Sequence, residues 1–291
     1  MYNAIAANKR NTVIIMAVFV GIIAAIGYIV SVVYGNSSIA LWVIAGAAIY
    51  ALIQYFAASK LAVAMTGAKE IEKKDNPRLY RIVENLAITT GITTPKIYLI
   101  EDPAPNAFAT GRDPKHAIVA ATTGILDVMD DRELEAVMAH ELGHVQNYDI
   151  RVSMIAFGLV SAIGILSDIA MRMFFFGNSD NRNVNPVMIV IGIILIILAP
   201  IMAAIIQMAV SRQREYLADA TGALTTRDSE GLASALEKLL QYGRPMQQQN
   251  SSTAHMFFSN PLKAGSFAKL FSTHPPLEDR IARLRGNANK F

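Results

Sequence analysis

AVMAHELGHVQNYD, residues 136 to 149, is the stretch on which the predicted fold and chemistry of this chain depend. Two of the chain's five histidines, His140 and His144, stand four residues apart here, and Glu141 follows the first. On a helix, positions four apart share a face, so both imidazoles can converge on one ion while Glu141 reaches a water molecule beside it. The pattern predicts a metal site with a carboxylate base; two solvated helix histidines are the alternative.

The residues around the histidines predict the helix that this arrangement requires. Asp130, followed three residues later by Glu133, has the spacing of a capping box. Apolar residues then recur at helical spacing: Leu134, Val137, Met138 and Leu142. We therefore predict a helix of about 16 residues that starts near Asp131 and carries both histidines.

The composition of the whole chain indicates a membrane protein. Of its 291 residues, 53% are hydrophobic and 17% are charged, and the mean hydropathy is +0.35, which is more apolar than is usual for a soluble domain. Residues 12 to 34 and 39 to 58 carry no charged side chain, and each run can cross about 30 Å of hydrocarbon as a helix. The first run is longer than the core of a signal peptide and no A-x-A site ends it, so we predict two retained spans.

Two further apolar runs, at 152 to 176 and 187 to 210, predict a second hairpin. The later run carries no charge, and its Pro200 is compatible with a membrane helix. The earlier run contains Asp168, which is costly in a span, although Arg172 lies one helical turn away, where it can pair with the acid. About four hydrophobic helices are therefore expected, and the depth of the second hairpin is left open.

Charge and cysteine content restrict location and partners. Lys9 and Arg10 precede the first run, the GNSS loop has no basic residue, and four lysines follow the second run: Lys60, Lys69, Lys73 and Lys74. By the positive-inside rule, the N-terminus and everything after residue 59 are expected to face the cytoplasm. The membrane is expected to be an inner (plasma) membrane. The net charge of +3 does not favour a nucleic-acid partner. Because the chain has no cysteine, any metal must be held by His, Asp or Glu.

A compact α+β unit is expected between the second and third apolar runs. A helix is predicted from Pro77 to a stop at Gly91, because proline favours the first turn of a helix and glycine favours its end. KIYLIE, residues 96 to 101, and AIVAAT, residues 117 to 122, are predicted strands. The segment between them, EDPAPNAFATGRDPKH, is rich in turn residues.

A hydrolytic zinc site needs a third protein ligand and one open position. SRQREYLAD, residues 211 to 219, offers Glu215 and Asp219 directly after the last apolar run. Two apolar runs lie between His144 and Glu215. Whether both runs cross the membrane or neither does, the chain returns to the same side, so the ligands can meet. We predict that Glu215 is the third ligand and that Asp219 accepts a hydrogen bond from a ligand imidazole. A charged helix face beside the membrane is the alternative.

Three motifs in this order, behind two N-terminal spans, make the chain resemble the HtpX family of membrane zinc metalloproteases, relatives of the CAAX prenyl endopeptidases. The motifs are HELGH, REYLAD at 214 to 219 and STHPPLEDRI at 272 to 281. The resemblance covers nearly the whole chain. It implies a Zn²⁺ ion held by His140, His144 and Glu215, with Glu141 as the catalytic base.

The same resemblance implies a fold and three further site residues. NAFATG matches the family's substrate-side segment, so Asn106 is expected to contact the substrate backbone on an edge strand. His274 and Arg280 match the C-terminal motif and are expected to support the oxyanion or the helix of the acidic ligand. The implied fold is an α-helical membrane protein with a zincin-like α+β metalloprotease domain and a small β-sheet edge near the active site.

The resemblance also implies the activity of a zinc endopeptidase that acts on misfolded or damaged membrane proteins at the cytoplasmic side. Its partners would be polypeptide substrates and the lipid bilayer. The chain divides into four expected segments: an N-terminal transmembrane hairpin at 1–60, the first part of the catalytic domain at 61–151, a second hydrophobic hairpin at 152–210 and the rest of the catalytic domain at 211–291.

Two other functions stay open at this point. In an intramembrane metalloprotease the histidine helix would lie inside the bilayer, which its charged residues disfavour. A non-enzymatic membrane protein could instead hold a structural zinc, which needs four protein ligands, whereas the sequence offers three ligands and His274 as a candidate for the fourth. No role is expected for His116, in a turn, or for His255, after the polar stretch QQQNSS.

Overall fold

The structure is a computed structural model that describes residues 2–159, 161, 212–249, 253–262 and 275–286. The predicted span at 187 to 210 and most of the run at 152 to 176, with Asp168 and Arg172, lie outside these residues. His274 also lies outside them. The expectations for the second hydrophobic hairpin and for His274 therefore stay predictions.

The two N-terminal apolar runs form long helices, α1 (Tyr2–Tyr34) and α2 (Ser38–Thr66), which pack against each other. By length and composition, both helices could cross a membrane, over Ile5–Tyr28 in α1 and over the full length of α2. Large apolar side chains of α2 are exposed on the surface of the protein; Leu41 and Trp42, for example, are 67% and 74% exposed. Such exposure is unfavourable in water and is expected in lipid.

A four-stranded mixed sheet follows α2. Its strands are β1 (Lys69–Glu70), β2 (Lys96–Ile100), β3 (Ala107–Gly111) and β4 (Ala117–Thr122). The strands lie in the order β1-β2-β4-β3, with β2 parallel to β4 and both outer strands antiparallel to their neighbours. The strands predicted at 96 to 101 and 117 to 122 are confirmed, although the first ends at Ile100.

The turn-rich segment between these two strands contains β3, which its local sequence did not predict. β3 pairs with β4 from Ala107 opposite Ala121 to Gly111 opposite Ala117. All five β3 residues are buried, so no alternation of apolar and polar residues marks the strand. Gly111 has φ 141°, and a Cβ there would lie 2.4 Å from the His116 carbonyl oxygen. Because β3 is an edge strand, its outer backbone groups can pair with another segment.

Local capping chemistry sets the ends of the helix before the sheet's second strand. α3 (Pro77–Thr90) begins where the Asn76 side chain accepts a hydrogen bond from the Leu79 amide. It ends at Gly91, whose φ of 68° lies in the left-handed region that glycine adopts without steric cost. The predicted helix from Pro77 to Gly91 is confirmed.

The histidine helix, α5 (Asp131–Gln146), follows a short helix, α4 (Thr123–Val128). Its first turn carries the capping box, in which the Asp130 side chain accepts from the Glu133 amide and the Glu133 carboxylate accepts from the Asp130 amide. α5 is 16 residues long, as predicted. Most of its residues from Leu134 onward are buried, so α5 forms the centre of the domain.

Four further helices complete the described fold. They are α6 (149–159), α7 (Arg212–Thr226), α8 (Ser229–Tyr242) and α9 (Leu277–Gly286). α5 packs against α7 and α8, and α9 packs against α8. An apolar cluster joins these helices to the sheet, with members such as Val119, Met138, Leu142, Leu236 and Leu284 all at most 3% exposed.

The close approach of α5 and α7 depends on Gly222. A Cβ at this position would lie 3.0 Å from the backbone nitrogen of His140 and 3.2 Å from its Cα. We expect Gly222→Val to push the helices apart and to lower the free energy of unfolding by roughly 1–3 kcal/mol, as overpacking usually does. Gly46→Val is the control, because a Cβ at Gly46 meets nothing within 4 Å. Equal melting temperatures of the two variants in detergent would contradict the close approach.

Candidate metal centre

The facing surfaces of α5 and α7 bring the three predicted metal ligands together. His140 and His144 on α5 and Glu215 on α7 each offer a ligand atom, and these atoms lie within 4.8 Å of one another. The Glu215 carboxylate is 3.9 Å from His140 Nε2 and 3.5 Å from His144 Nε2. His140 and Glu215 are 1% and 4% exposed. The three side chains are therefore placed to hold one ion at the helix interface.

A carboxylate lies behind each imidazole. Asp219 Oδ1 is 2.9 Å from His140 Nδ1, and Asp149 Oδ2 is 3.0 Å from His144 Nδ1. These contacts favour a proton on each Nδ1, which leaves the Nε2 lone pairs for a metal. The sequence pattern predicts the role of Asp219 but not that of Asp149. The only local signal for Asp149 is its position five residues after His144, where α6 begins after a two-residue turn.

The donor set fits a divalent metal. The two Nε2 atoms lie 3.1 Å apart, and the two rings are nearly perpendicular. At this distance the lone pairs of the two nitrogens repel each other unless a proton on one of them, or a cation shared with Glu215, lies between them. Two imidazoles and one carboxylate also form the ligand set of catalytic zinc sites that keep one position open.

The two imidazoles differ in their readiness to bind a metal. Burial lowers the pKa of His140 to about 4, and the Asp219 hydrogen bond opposes this shift only in part. Burial also lowers the pKa of His144, but the Asp149 hydrogen bond and the Glu215 charge outweigh it and raise the pKa to about 9. At neutral pH His140 is therefore neutral, whereas a metal must displace a proton from His144.

Arg280, on α9, lies behind the helix of the acidic ligand. It is fully buried, and its Nε and Nη2 atoms donate to the two oxygens of Asp219 at 2.9 and 2.6 Å. Its Nη1 atom is 3.7 Å from Glu215. Burial raises the pKa of Asp219, but the Arg280 charge and the His140 hydrogen bond hold it below its usual value. Arg280 thus keeps Asp219 ionised and balances part of the charge of Glu215.

A cavity opens beside the three ligands. Its wall includes Glu141 from α5, Ala109 from β3 and Phe258 from the segment before α9. Glu141 is only 2% exposed and follows His140 directly. A molecule held in this cavity would therefore meet a carboxylate that is shielded from bulk water.

The outer edge of β3 is partly covered by a later segment of the same chain. Residues 257–258 lie against the start of the strand, and the Phe258 amide donates to the Ala107 carbonyl at 2.8 Å. The Asn106 side chain donates to the Ser259 carbonyl at 2.8 Å and accepts from the Ser259 amide at 3.0 Å. Asn106 is 2% exposed. A direct contact between Asn106 and a substrate would therefore require Ser259 to move.

His255, for which no role was expected, lies in the cavity wall. It is 6% exposed, and its Nε2 atom is 3.1 Å from the Ser153 carbonyl oxygen. The polar residues before His255 predicted an exposed position, whereas contact with α6 buries the side chain. His116 behaves as expected for a turn residue, since it lies at the surface with its Nδ1 atom 2.8 Å from Asp113.

Comparisons with known proteins cover both helices that carry the predicted metal ligands, α5 and α7. The model of peptidase family M48 matches residues 73–288. The "Protease HtpX homolog" of Tropheryma whipplei (strain Twist) is 55% identical over 291 residues and covers 100% of both chains. The homologue of Streptococcus pneumoniae (strain Hungary19A-6) is 42% identical over 297 residues, which cover 98% of this chain and 99% of the relative.

A solved structure agrees with the fold. The crystal structure of S. mikatae Ste24p matches with a TM-score of 0.50 and 20% identity, covering 93% of this chain and 61% of that chain. At this identity the likeness shows the fold alone. The family model, in contrast, spans α5 and α7 together, and the relatives match from end to end. This chain therefore belongs to peptidase family M48, as a membrane metalloprotease of the HtpX type.

Proposed function

We propose that the chain is a membrane-anchored, zinc-dependent endopeptidase that hydrolyses peptide bonds of misfolded or damaged membrane proteins at the cytoplasmic side. The observation that carries this proposal is the meeting of His140, His144 and Glu215 within 4.8 Å. The carboxylates behind both imidazoles support it, because ligand histidines of zinc sites are usually oriented in this way. Zinc is the proposed ion because it accepts this mixed nitrogen and oxygen ligand set and leaves a position for substrate.

Different side chains of the chain would carry out proton transfer, orientation of the ligands and stabilisation of the oxyanion. Bound zinc would polarise the scissile carbonyl and lower the pKa of water toward about 7. Glu141, in the cavity wall beside His140, takes a proton from the attacking water and returns it to the leaving amine. Asp219 and Asp149 keep the imidazoles oriented. His274 is proposed as a donor to the oxyanion.

An extended substrate would pair with the edge of β3. Residues 257–258 cover the start of that edge, whereas Ala109 lines the cavity. We therefore place the substrate backbone at the Ala109 end of the strand, next to Glu141. Asn106 shapes this groove from behind by holding Ser259. Backbone pairing gives affinity with little sequence preference, which suits a protease that removes damaged proteins.

The contact between α1 and the metal centre supports a cytoplasmic catalytic domain. Asn8, near the start of α1, donates a hydrogen bond to Asp149. The metal centre thus lies at the end of α1 that carries Lys9 and Arg10, and basic residues beside a span favour the cytoplasm. In this arrangement residues 61–151 and 211–291 form one catalytic domain, with a hydrophobic hairpin at 152–210 between them.

The start of α5 disfavours an active site within the bilayer. Asp130, Asp131 and Arg132 are all exposed at this helix end. Charged side chains facing hydrocarbon would cost several kcal/mol in total by insertion scales, at about 2.5–3.5 kcal/mol each near the centre. The start of the histidine helix is therefore placed in water.

Zinc content and casein cleavage of the purified protein and of Glu215→Gln test the proposal. We expect Glu215→Gln to lose most of its zinc and to cleave casein more than about 100-fold more slowly, since even the loss of an outer partner of a ligand costs about 10–100-fold. Glu237→Gln is the control, because Glu237 pairs with Arg285 at the surface. Retained stoichiometric zinc in Glu215→Gln would place the third ligand elsewhere. Zinc without cleavage in the unaltered protein would favour a structural metal.

A further inference from the structure

The first membrane helix carries a buried polar side chain that membrane anchoring does not explain. Asn8 is 3% exposed, and its amide nitrogen donates to the Asn147 carbonyl at 2.8 Å and to Asp149 Oδ1 at 2.6 Å. These partners lie 139 and 141 residues further along the chain. A buried amide costs free energy unless its hydrogen bonds are made, so these contacts favour one position of α1 on the domain.

The turn directly before Asp149 has an uncommon backbone. Tyr148 has φ 61°, a left-handed conformation that is rare for a bulky side chain. Lys9 Nζ lies 4.8 Å from the centroid of the Tyr148 ring. Two adjacent residues of α1 therefore contact this region: Lys9 contacts Tyr148 in the turn, and Asn8 contacts Asp149 directly after it. From α7, Arg214 Nε is 4.0 Å from Asp149 Oδ1, which is a longer contact than that of Asn8.

We infer that Asn8 is a positioning residue of the metal centre, through which the first membrane helix orients His144. The inference rests on the proposed function, because it needs His144 to be a metal ligand. The two oxygens of Asp149 have different partners: Oδ1 accepts from Asn8, and Oδ2 lies 3.0 Å from His144 Nδ1. The carboxylate cannot rotate about its Cβ–Cγ bond without losing a hydrogen bond, so its direction toward His144 is restrained.

The other ligand imidazole has a matching arrangement. Arg280 donates to both oxygens of Asp219 and so restrains the carboxylate behind His140. Asn8 occupies the equivalent place behind His144, with a neutral amide in place of the guanidinium. Each zinc-binding imidazole thus has a carboxylate and, behind that carboxylate, a buried donor. For His144 the donor comes from the membrane helix, so α1 completes the metal centre as well as anchoring the chain.

The test compares Asn8→Leu with Asn36→Leu in the full-length protein in detergent. Leucine has the same branching and number of side-chain heavy atoms as asparagine but lacks the amide donor, and Asn36 is an exposed residue between α1 and α2. Competition with a chelator measures zinc affinity. We expect Asn8→Leu to weaken zinc binding by about 10–100-fold, as losing an outer partner of a ligand usually does, and Asn36→Leu to leave it unchanged. With zinc in excess, kcat for casein should fall while KM stays within about twofold.

A double-mutant cycle distinguishes positioning from general support of the fold. If Asn8 acts through Asp149, adding Asn8→Leu to Asp149→Ala should weaken zinc binding by no more than about twofold further. Additive losses, or an unchanged zinc affinity in Asn8→Leu, overturn the inference. If Asn8→Leu does not fold, Asn8→Ser takes its place in the same cycle. Absence of zinc binding in the unaltered protein would overturn the proposed function as well, whereas normal binding by both proteins overturns only the role of Asn8.

Discussion

Glu141→Gln should leave the bound zinc unchanged and lower kcat for casein cleavage by roughly 10²–10⁴-fold, the usual contribution of a general base. Glutamine keeps the shape of the side chain but cannot take a proton from water. The carboxylate lines the cavity beside the ligands, and the predicted ligand set of His140, His144 and Glu215 does not include it. Steady-state cleavage and zinc content, measured on the same preparations, check both parts of this expectation.

Glu135→Gln is the matched control for this variant. Glu135 lies on the same helix, and the residues that line the cavity do not include it. Its kcat and zinc content should equal those of the unaltered protein. Unchanged cleavage by Glu141→Gln would remove Glu141 from the role of base. Loss of zinc together with activity would show that Glu141 is needed to form the site.

Arg280→Leu should produce the largest loss of stability, with the free energy of unfolding reduced by about 3–5 kcal/mol, the cost of leaving buried charges unpaired. Arg280 is the buried cation beside Asp219 and Glu215, each of which is 4% exposed. Without Arg280, the negative charges of Asp219 and Glu215 would repel each other in a region shielded from water. Zinc affinity should fall as well, because Asp219 would no longer be held behind His140. Denaturant unfolding of the detergent-solubilised protein measures the first effect.

The control for Arg280 lies on the same helix. Arg285 pairs with Glu230 and Glu237 at the surface, where water screens the charges. Arg285→Leu should therefore change the unfolding midpoint far less than Arg280→Leu. If both variants lost the same stability, α9 itself would be sensitive to leucine, and the buried charge would not be the cause.

Elements with local signals could be predicted from the sequence because their stabilising contacts lie within a few residues. The capping box of Asp130 and Glu133 joins positions three apart, and it marked the start of α5 correctly. Asn76 and Gly91 act in the same way at the two ends of α3. Strand β3 had no such signal, because its stability comes from pairing with β4 and from burial on both faces.

The residues that support the metal ligands also differ in whether their contacts are local in the sequence. Asp219 was accessible to sequence reasoning because it stands four residues after Glu215 on one helix. Asp149 lies beyond the end of α5, and only the left-handed turn at Tyr148 brings it back toward His144. His255 reaches the cavity wall through its contact with Ser153, far away in the chain.

The sequence by itself determined that His140 and His144 share a face, because a spacing of four on a helix does so in any fold. It likewise determined the apolar character of α1 and α2, although α1 begins earlier, at Tyr2, and α2 ends later, at Thr66, than the uncharged runs predicted. Only the tertiary structure decided that Asn8 meets Asp149 across 141 positions. Helical periodicity and capping depend on separation along the chain, whereas this hydrogen bond depends on how two helices pack, which no local pattern records.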